Sequence, residues 1–175
     1  MGAYYVTTAI PYVNADPHLG FALELVQADV FARFHRLRGD DTRFLTGTDE
    51  NSLTNVLAAE RAGLPVRALV DRHAARFRQL TSELGISNDD FIRTATDARH
   101  VAGARRFWEA CAQRGDVYRR PYRGLYCVRC ERFVAPDELV DGRCPEARGA
   151  PRRASSRSCS PSTRPDRGAG VGRPA

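Results

Sequence analysis

Apolar positions along the chain alternate between short continuous runs and longer stretches at helical spacing. Tyr4-Tyr-Val-Thr-Thr8, ending in Ala9-Ile10, reads as a buried strand. From Leu19 the apolar residues fall at 19, 23, 26, 30, 34 and 37, a helical period closed by Gly39 at a C′ position. Arg43-Phe-Leu-Thr-Gly47 reads as a second strand, and strand–helix–strand over so short a span makes a parallel βαβ unit. A helix over 52–62 stops at Gly63. Another follows Pro65, with apolar positions 66, 69, 70, 73, 77, 80 and 84 and a stop at Gly85. His73 falls on that apolar face and reads as a satisfied core histidine. Residues 90–94 read as a short strand. Residues 97–114 read as a helix ended by Gly115, with Trp108 and Cys111 expected in the core. His35 and His100 sit in Arg-rich helical surroundings and read as solvated. Residues 117–144 alternate short β-like pieces with turns. Beyond Ala147 the periodicity stops, and Val171 is the only large aliphatic residue, so 147–175 is expected to be disordered.

The loop between the first strand and helix, Pro11-Tyr-Val-Asn-Ala-Asp-Pro-His-Leu-Gly-Phe21, concentrates the polar chemistry. Asp16 suits a helix N-cap and Pro17 a first helical position. The amides and dipole of such a helix start favour an anion such as a phosphate, to which His18 at the mouth can donate. Gly20, one turn in, leaves room for close approach to the backbone. In open parallel sheets ligands bind outside the carboxyl ends of the strands, so Ile10 and Asp49, each following a strand, are expected to line one crevice.

The formal charge is +6, and all 27 basic residues are Arg. Residues 147–175 hold seven Arg and one acid, Asp166, which accounts for the whole +6; the first 146 residues are neutral. The basic balance therefore belongs to the tail and says little about the partners of the folded part. No apolar run approaches the roughly 20 residues of a membrane span. The start lacks the basic-then-apolar pattern of a secretory signal, so a cytoplasmic protein is expected. Oligomeric state is not fixed by any of this.

Five cysteines, an odd number, with Cys127-Val-Arg-Cys130 among them, argue against a disulfide framework. Cys127, Cys130 and Cys144 have metal-knuckle spacing, and zinc prefers four ligands in a tetrahedron. Three positions match. Two readings stay open: three reduced thiols without a tight metal, or a weak site completed by water, Glu146 or Cys159.

Residues Tyr5–Phe21 resemble the first signature region of class I methionyl-tRNA synthetases, where a His-Ile-Gly-His-type tetrad binds ATP. Arg36-Leu-Arg-Gly-Asp40, Phe44-Leu-Thr-Gly-Thr-Asp-Glu50 and Gly124–Phe133, the last similar to the zinc knuckle of the family's connective insertion, follow in the same order. The resemblance covers roughly residues 4–146. It departs at Phe21, where the last His of the tetrad usually stands, and at Asn51-Ser52, where His-Gly commonly follows Asp-Glu. In the family the fourth zinc ligand commonly follows Cys-Pro by two residues, the place of Ala147.

The resemblance implies an α/β chain carrying the N-terminal half of a Rossmann-like nucleotide-binding fold (1–115), a connective insertion with the knuckle (116–146) and a disordered tail (147–175). It implies ATP contacts from Tyr12, Asn14, His18, Gly20 and Phe21, with His18 as the catalytic residue. Methionine contacts fall on Ala9, Ile10 and Asp49, Asp49 taking the α-ammonium. The implied reaction forms methionyl-adenylate from methionine and ATP, with Mg2+ accompanying the ATP and Zn2+ at the knuckle, then passes the methionyl group to tRNA(Met). The second signature, Lys-Met-Ser-Lys-Ser, cannot occur in a chain without Lys, so the chain reads as the N-terminal part of such a ligase. The resemblance ends after Glu146, at the expected zinc His. Reading the Ala147-Arg148 codons one base later yields His-Gly with suitable third bases, which implies an off-frame tail. Two competing classes are a non-catalytic remnant and a small zinc-knuckle nucleic-acid binder with an Arg-rich arm.

Overall fold

The computed structural model describes residues 2–119, 122–128, 130–146, 152–156 and 159–161. The chain divides after Val101 into two compact units. In the first, strand β1 (Ala3–Thr7) leads through a loop to helix α1 (Leu19–Leu37), strand β2 (Asp41–Thr48), helices α2 (Leu53–Ala62) and α3 (Val66–Glu83), strand β3 (Asp90–Arg93) and the start of helix α4 (Ala98–Gln113). The strands form one parallel sheet in the order β1-β2-β3, with Val6 opposite Phe44 and Gly47 opposite Ile92. The βαβ expectation and the fold class hold.

Gly47 sits where β3 comes closest. A Cβ there would lie 2.2 Å from the Ile92 carbonyl oxygen, so only glycine permits the pairing. Gly63, at φ 63°, closes α2 in the left-handed conformation that other residues adopt with strain.

The main core packs Phe21 and Leu25 of α1 against Val70, Ala74 and Phe77 of α3, with Val13 and Phe91. A second cluster joins Ala28 and Ala32 to Phe44. The buried stripe of α1 is thus Phe21, Leu25, Ala28, Asp29 and Ala32. The periodic residues Leu19, Leu23, Val26, Val30, Phe34 and Leu37 all lie on its exposed side. Both stripes have helical spacing; the smaller side chains at 28 and 32 let the helix lie close to the strands.

Four other expectations change. His35 is not solvated: it stacks on Tyr4 at 3.4 Å between centroids and pairs with Asp40 at 2.8 Å. Trp108 is half exposed and no residue of α4 is buried. Cys111 is half-buried, as is His100. His73 is satisfied as expected, through Asp16 at 2.9 Å.

The second unit pairs β4 (Val117–Arg119) with β8 (Cys159–Pro161). It forms a further sheet, β6-β5-β7, from β6 (Arg132–Val134), β5 (Tyr122–Cys127) and β7 (Arg152–Ser156), all antiparallel. Two short pieces of the tail therefore carry strand backbone. An open strand edge offers N–H and C=O groups to any extended chain, whatever its side chains, which is why apolar periodicity gives no sign of them. The rest of 147–175 lies outside the described residues. Among those described, no helix is long and apolar enough to cross a membrane.

Candidate functional site

The loop from Thr8 to His18 runs past the carboxyl ends of β1 and β2 and is fixed at several points. Thr8 and Thr46 share a buried hydroxyl hydrogen bond of 2.7 Å. The Ala9 amide donates to Glu24 of α1 at 2.6 Å. The Asp49 amide donates to the Pro11 carbonyl at 2.9 Å, and Tyr12 and Asp49 form an isolated parallel bridge. Val13 is fully buried beneath. Ala9, Ile10, Tyr12 and Asn14, by contrast, are exposed, on the outer side of the same loop. The structure thus brings Tyr12 and Asp49 side by side, next to Ile10.

The helix start differs from expectation at two residues: α1 begins at Leu19, so Pro17 precedes the helix rather than opening it. His18, not Asp16, is the N-cap of α1, with extended backbone at φ −109° and ψ 167°, and its Nδ1 accepts from the Phe21 amide at 3.3 Å. The Asp16 carboxylate is taken by α3, at 2.9 Å from His73 and 3.6 Å from Arg76. Gly20 makes the His18 cap possible: a Cβ there would stand 3.0 Å from both Cε1 and Nδ1 of the ring. With Nδ1 accepting, the neutral imidazole carries its proton on Nε2, the ring atom facing away from the cap. Phe21 does not join the exposed group. Its side chain is 4% exposed and meets Phe77 edge-on at 5.1 Å.

Behind Asp49 lies a charged network that the sequence reading missed. Glu50, whose side chain is fully buried, accepts from Arg93 and, at 3.3 Å, from Thr48. Arg93 also reaches Asp71 of α3 at 2.6 Å. Burial would lower the Arg93 pKa, but the two carboxylates outweigh it and raise it, so the guanidinium stays charged. Thr94 ties the network to the loop: its Oγ1 accepts from the Glu50 amide at 2.8 Å and lies 3.5 Å from Asp49 Oδ1. The Asn51 amide donates to the same Asp49 oxygen at 3.0 Å. Asp49 is therefore held in one orientation. The only signal for this in the sequence was Glu50 itself, an acid directly after a run of strand residues, where burial demands a cationic partner.

In the second unit Cys127, Cys130 and Cys144 bring their Sγ atoms within 4.8 Å of one another. Cys127 and Cys144 are buried, with Val134 and Leu139 packed around them. Glu131, at φ 50°, turns the chain directly after Cys130. The Cys130 and Cys144 sulfurs stand 3.6 Å apart. Zinc bonds to sulfur of about 2.3 Å in a tetrahedron put sulfurs about 3.8 Å apart, so the donor set suits a soft divalent ion. Burial, then hydrogen bonds in which the Cys130 thiol donates to Cys127, Cys144 and Glu146, push it up to about 12. The expected fourth position, Ala147, and the side chain of Cys159 lie outside the described residues.

The family profile described as tRNA synthetases class I (M) matches residues 4–167. The chain belongs to that family.

Among curated class I (M) relatives, the methionine–tRNA ligase of Mycobacterium bovis is 49% identical over 144 residues, which cover 81% of this chain and 28% of that protein. That of Brucella suis is 44% identical over 135 residues, covering 77% and 26%. A solved structure, Mycobacterium tuberculosis methionyl-tRNA synthetase in complex with methionyl-adenylate, superposes with a TM-score of 0.85 at 44% identity, covering 91% of this chain and 32% of that one. The chain spans between a quarter and a third of the length of the synthetases it matches. The profile match also runs past Glu146, where the sequence reading ended the resemblance.

Proposed function

We propose that this chain supplies the methionine- and ATP-binding part of a methionine–tRNA ligase. The observation that carries the reading is the likeness to a synthetase solved with methionyl-adenylate, over the very segment in which His18 and Asp49 follow the ends of adjacent parallel strands or their loops. The reaction joins the methionine carboxylate to the α-phosphorus of ATP and releases pyrophosphate. It needs no covalent protein intermediate, so the protein acts through positioning and charge stabilisation.

The side chains have the chemistry for these roles. Asp49, oriented by the Asn51 amide and Thr94, accepts from the α-ammonium of methionine. Ala9 and Ile10 offer main-chain contacts beside it. The His18 Nε2–H donates to a phosphoryl oxygen as charge develops there. Gly20 and the exposed faces of Tyr12 and Asn14 leave space for the nucleotide, with Mg2+ on the phosphates. Phe21 takes part through its amide, which fixes the His18 ring, rather than through its side chain. A soft divalent ion such as Zn2+ held by Cys127, Cys130 and Cys144 would fix the knuckle fold. Transfer to tRNA(Met) in the cytoplasm completes the reading and needs groups beyond those described.

The test is calorimetric titration of the chain with a non-hydrolysable methionyl-adenylate analogue, beside Asp49→Asn and His18→Ala. The expected outcome is binding by the unaltered chain, weakened about 10-fold or more by either change, as for a hydrogen bond to a charged group. Absence of binding by the unaltered chain, or binding by either variant as tight as the unaltered chain's, refutes the assignment. The chain alone is expected not to charge tRNA, and ATP–pyrophosphate exchange separates it from a non-catalytic remnant.

A further inference from the structure

Helix α1 buries Phe21, Leu25, Ala28, Asp29 and Ala32 in the core. Its opposite side is apolar as well. Leu19, Leu23, Val26, Val30, Phe34 and Leu37 lie between 42% and 89% exposed. At 3.6 residues per turn these six fall within about 80° of arc and run the length of the helix, about 27 Å. Gln27 and Arg33 are the only exposed polar residues of α1, and Arg33 is held by Asp29 and by the Gly85 carbonyl, each at 2.6 Å. With so little charge the stripe does not suit a nucleic acid, whose phosphates call for cations. Nor does it suit a lipid surface: a helix lying in a membrane interface turns its other face to water, and here that face is core. A helix apolar on both sides is one that is covered on both sides.

We infer that this face of α1 binds the same face of a second copy of the chain, the two helices running antiparallel about a two-fold axis level with residue 28. The positions are self-complementary, as such a contact requires. Leu19 meets the partner's Leu37, Leu23 meets the partner's Phe34, and Val26 meets the partner's Val30, the members of each pair standing about equally far on either side of the axis. The smaller Val side chains fall at the centre, so the helices can close to the ordinary packing distance of about 8–10 Å. The exposed area of the stripe is on the order of 700 Å², above the roughly 300–600 Å² of the largest patch on an ordinary monomer and close to the roughly 800 Å² that each partner gives to a stable interface. Leu19 directly follows His18, so the contact reaches the His18 end of the candidate site.

The experiment is sedimentation equilibrium of the full chain under reducing conditions, over about 1–100 μM, where association of ordinary strength is read directly. A discrete dimer is expected. Val26→Glu and Val30→Arg, at exposed positions, should each leave the circular dichroism of the fold unchanged and weaken self-association about 100-fold or more, because each sets an unpaired charge in the contact. The chain with both changes should regain the dimer: in antiparallel register the new carboxylate at 26 faces the partner's new guanidinium at 30, whereas parallel helices would set like charges opposite each other. Phe107→Ser, on α4, should dimerise as the unaltered chain does. A monomer throughout overturns the inference and leaves the face to an unlike chain. Polydisperse aggregation in place of a dimer overturns it too, as does a dimer that either single change leaves intact. Loss in the single variants without recovery in the double one overturns the antiparallel pairing.

Discussion

Replacing Gly47 by Ala tests how the sheet supports the site. The added Cβ would lie 2.2 Å from the Ile92 carbonyl oxygen, 2.5 Å from its Cγ2 and 3.0 Å from its carbonyl carbon. Two of these three atoms belong to the β3 backbone, so no side-chain rotation relieves the clash. To bring the oxygen out to even 3.0 Å, β3 must retreat by the better part of an ångström. Ladder hydrogen bonds near 2.9 Å then stretch past the useful limit of about 3.2 Å. Losing two or three of them at about 1 kcal/mol each, with overpacking of about 1–3 kcal/mol, gives a destabilisation of roughly 3–5 kcal/mol. That is a large share of the roughly 5–15 kcal/mol that holds a typical domain together. The change reaches the site as well, because Arg93 and Thr94 follow Ile92 and hold Glu50 and Asp49. Urea unfolding by far-ultraviolet circular dichroism, with amide exchange at β2 and β3, measures the effect. Gly103→Ala is the control: its Cβ meets nothing within 4 Å in mid-helix, and it should stabilise by about 1 kcal/mol. A Gly47→Ala chain that unfolds at the same urea concentration as the parent, with unchanged exchange at β3, refutes the reasoning.

Asp29 is buried, which raises its pKa, but hydrogen bonds from Ser87 and Arg33 outweigh this and hold it below the ordinary carboxylate value of 3.8. A folded-state pKa below the unfolded one contributes stability above the unfolded value and loses it as pH falls through the folded one. Asp29→Asn should therefore cost about 1–3 kcal/mol near neutrality and show a shallower loss of stability below pH ~4, read from urea midpoints against pH; parallel curves would contradict it. Phe21→His, which restores the usual tetrad residue, should destabilise by about 2–4 kcal/mol, because the ring enters the apolar cluster with Phe77 and Leu25 without a hydrogen-bond partner; a melt unchanged from the parent would count against that packing. The off-frame reading of the tail is checked on the DNA: from codon 147 the alternative frame should encode His at the fourth ligand position and, downstream, a Lys-Met-Ser-Lys-Ser-like segment. If no frame does, the tail is native sequence.

Local pattern alone determined much of this protein. Strand, helix and strand order over 4–47, the stops at Gly63 and Gly85, and the three-cysteine knuckle were all legible, because they depend on side-chain period, backbone freedom at glycine and fixed ligand spacing. The signature loop and the Asp49 strand end were legible as well, since the residues that carry them are contiguous. What the sequence left undecided depended on partners distant along the chain. Helix α1 carries two apolar stripes, and the periodicity of either satisfies a helical pattern. Only packing against Phe44 and α3 selected the one with Ala28 and Ala32 and left Leu23, Val30 and Phe34 outside. The sequence pointed to Asp16 as the cap. The choice fell to His18 because α3 supplied His73 and Arg76 to take the Asp16 carboxylate, while Gly20 admitted the imidazole. The Glu50–Arg93–Asp71 network joins residues far apart in sequence, so no spacing rule announces it. Periodicity specifies which faces are possible, and the free energy of burying one of them against a particular neighbour is decided only when the elements meet.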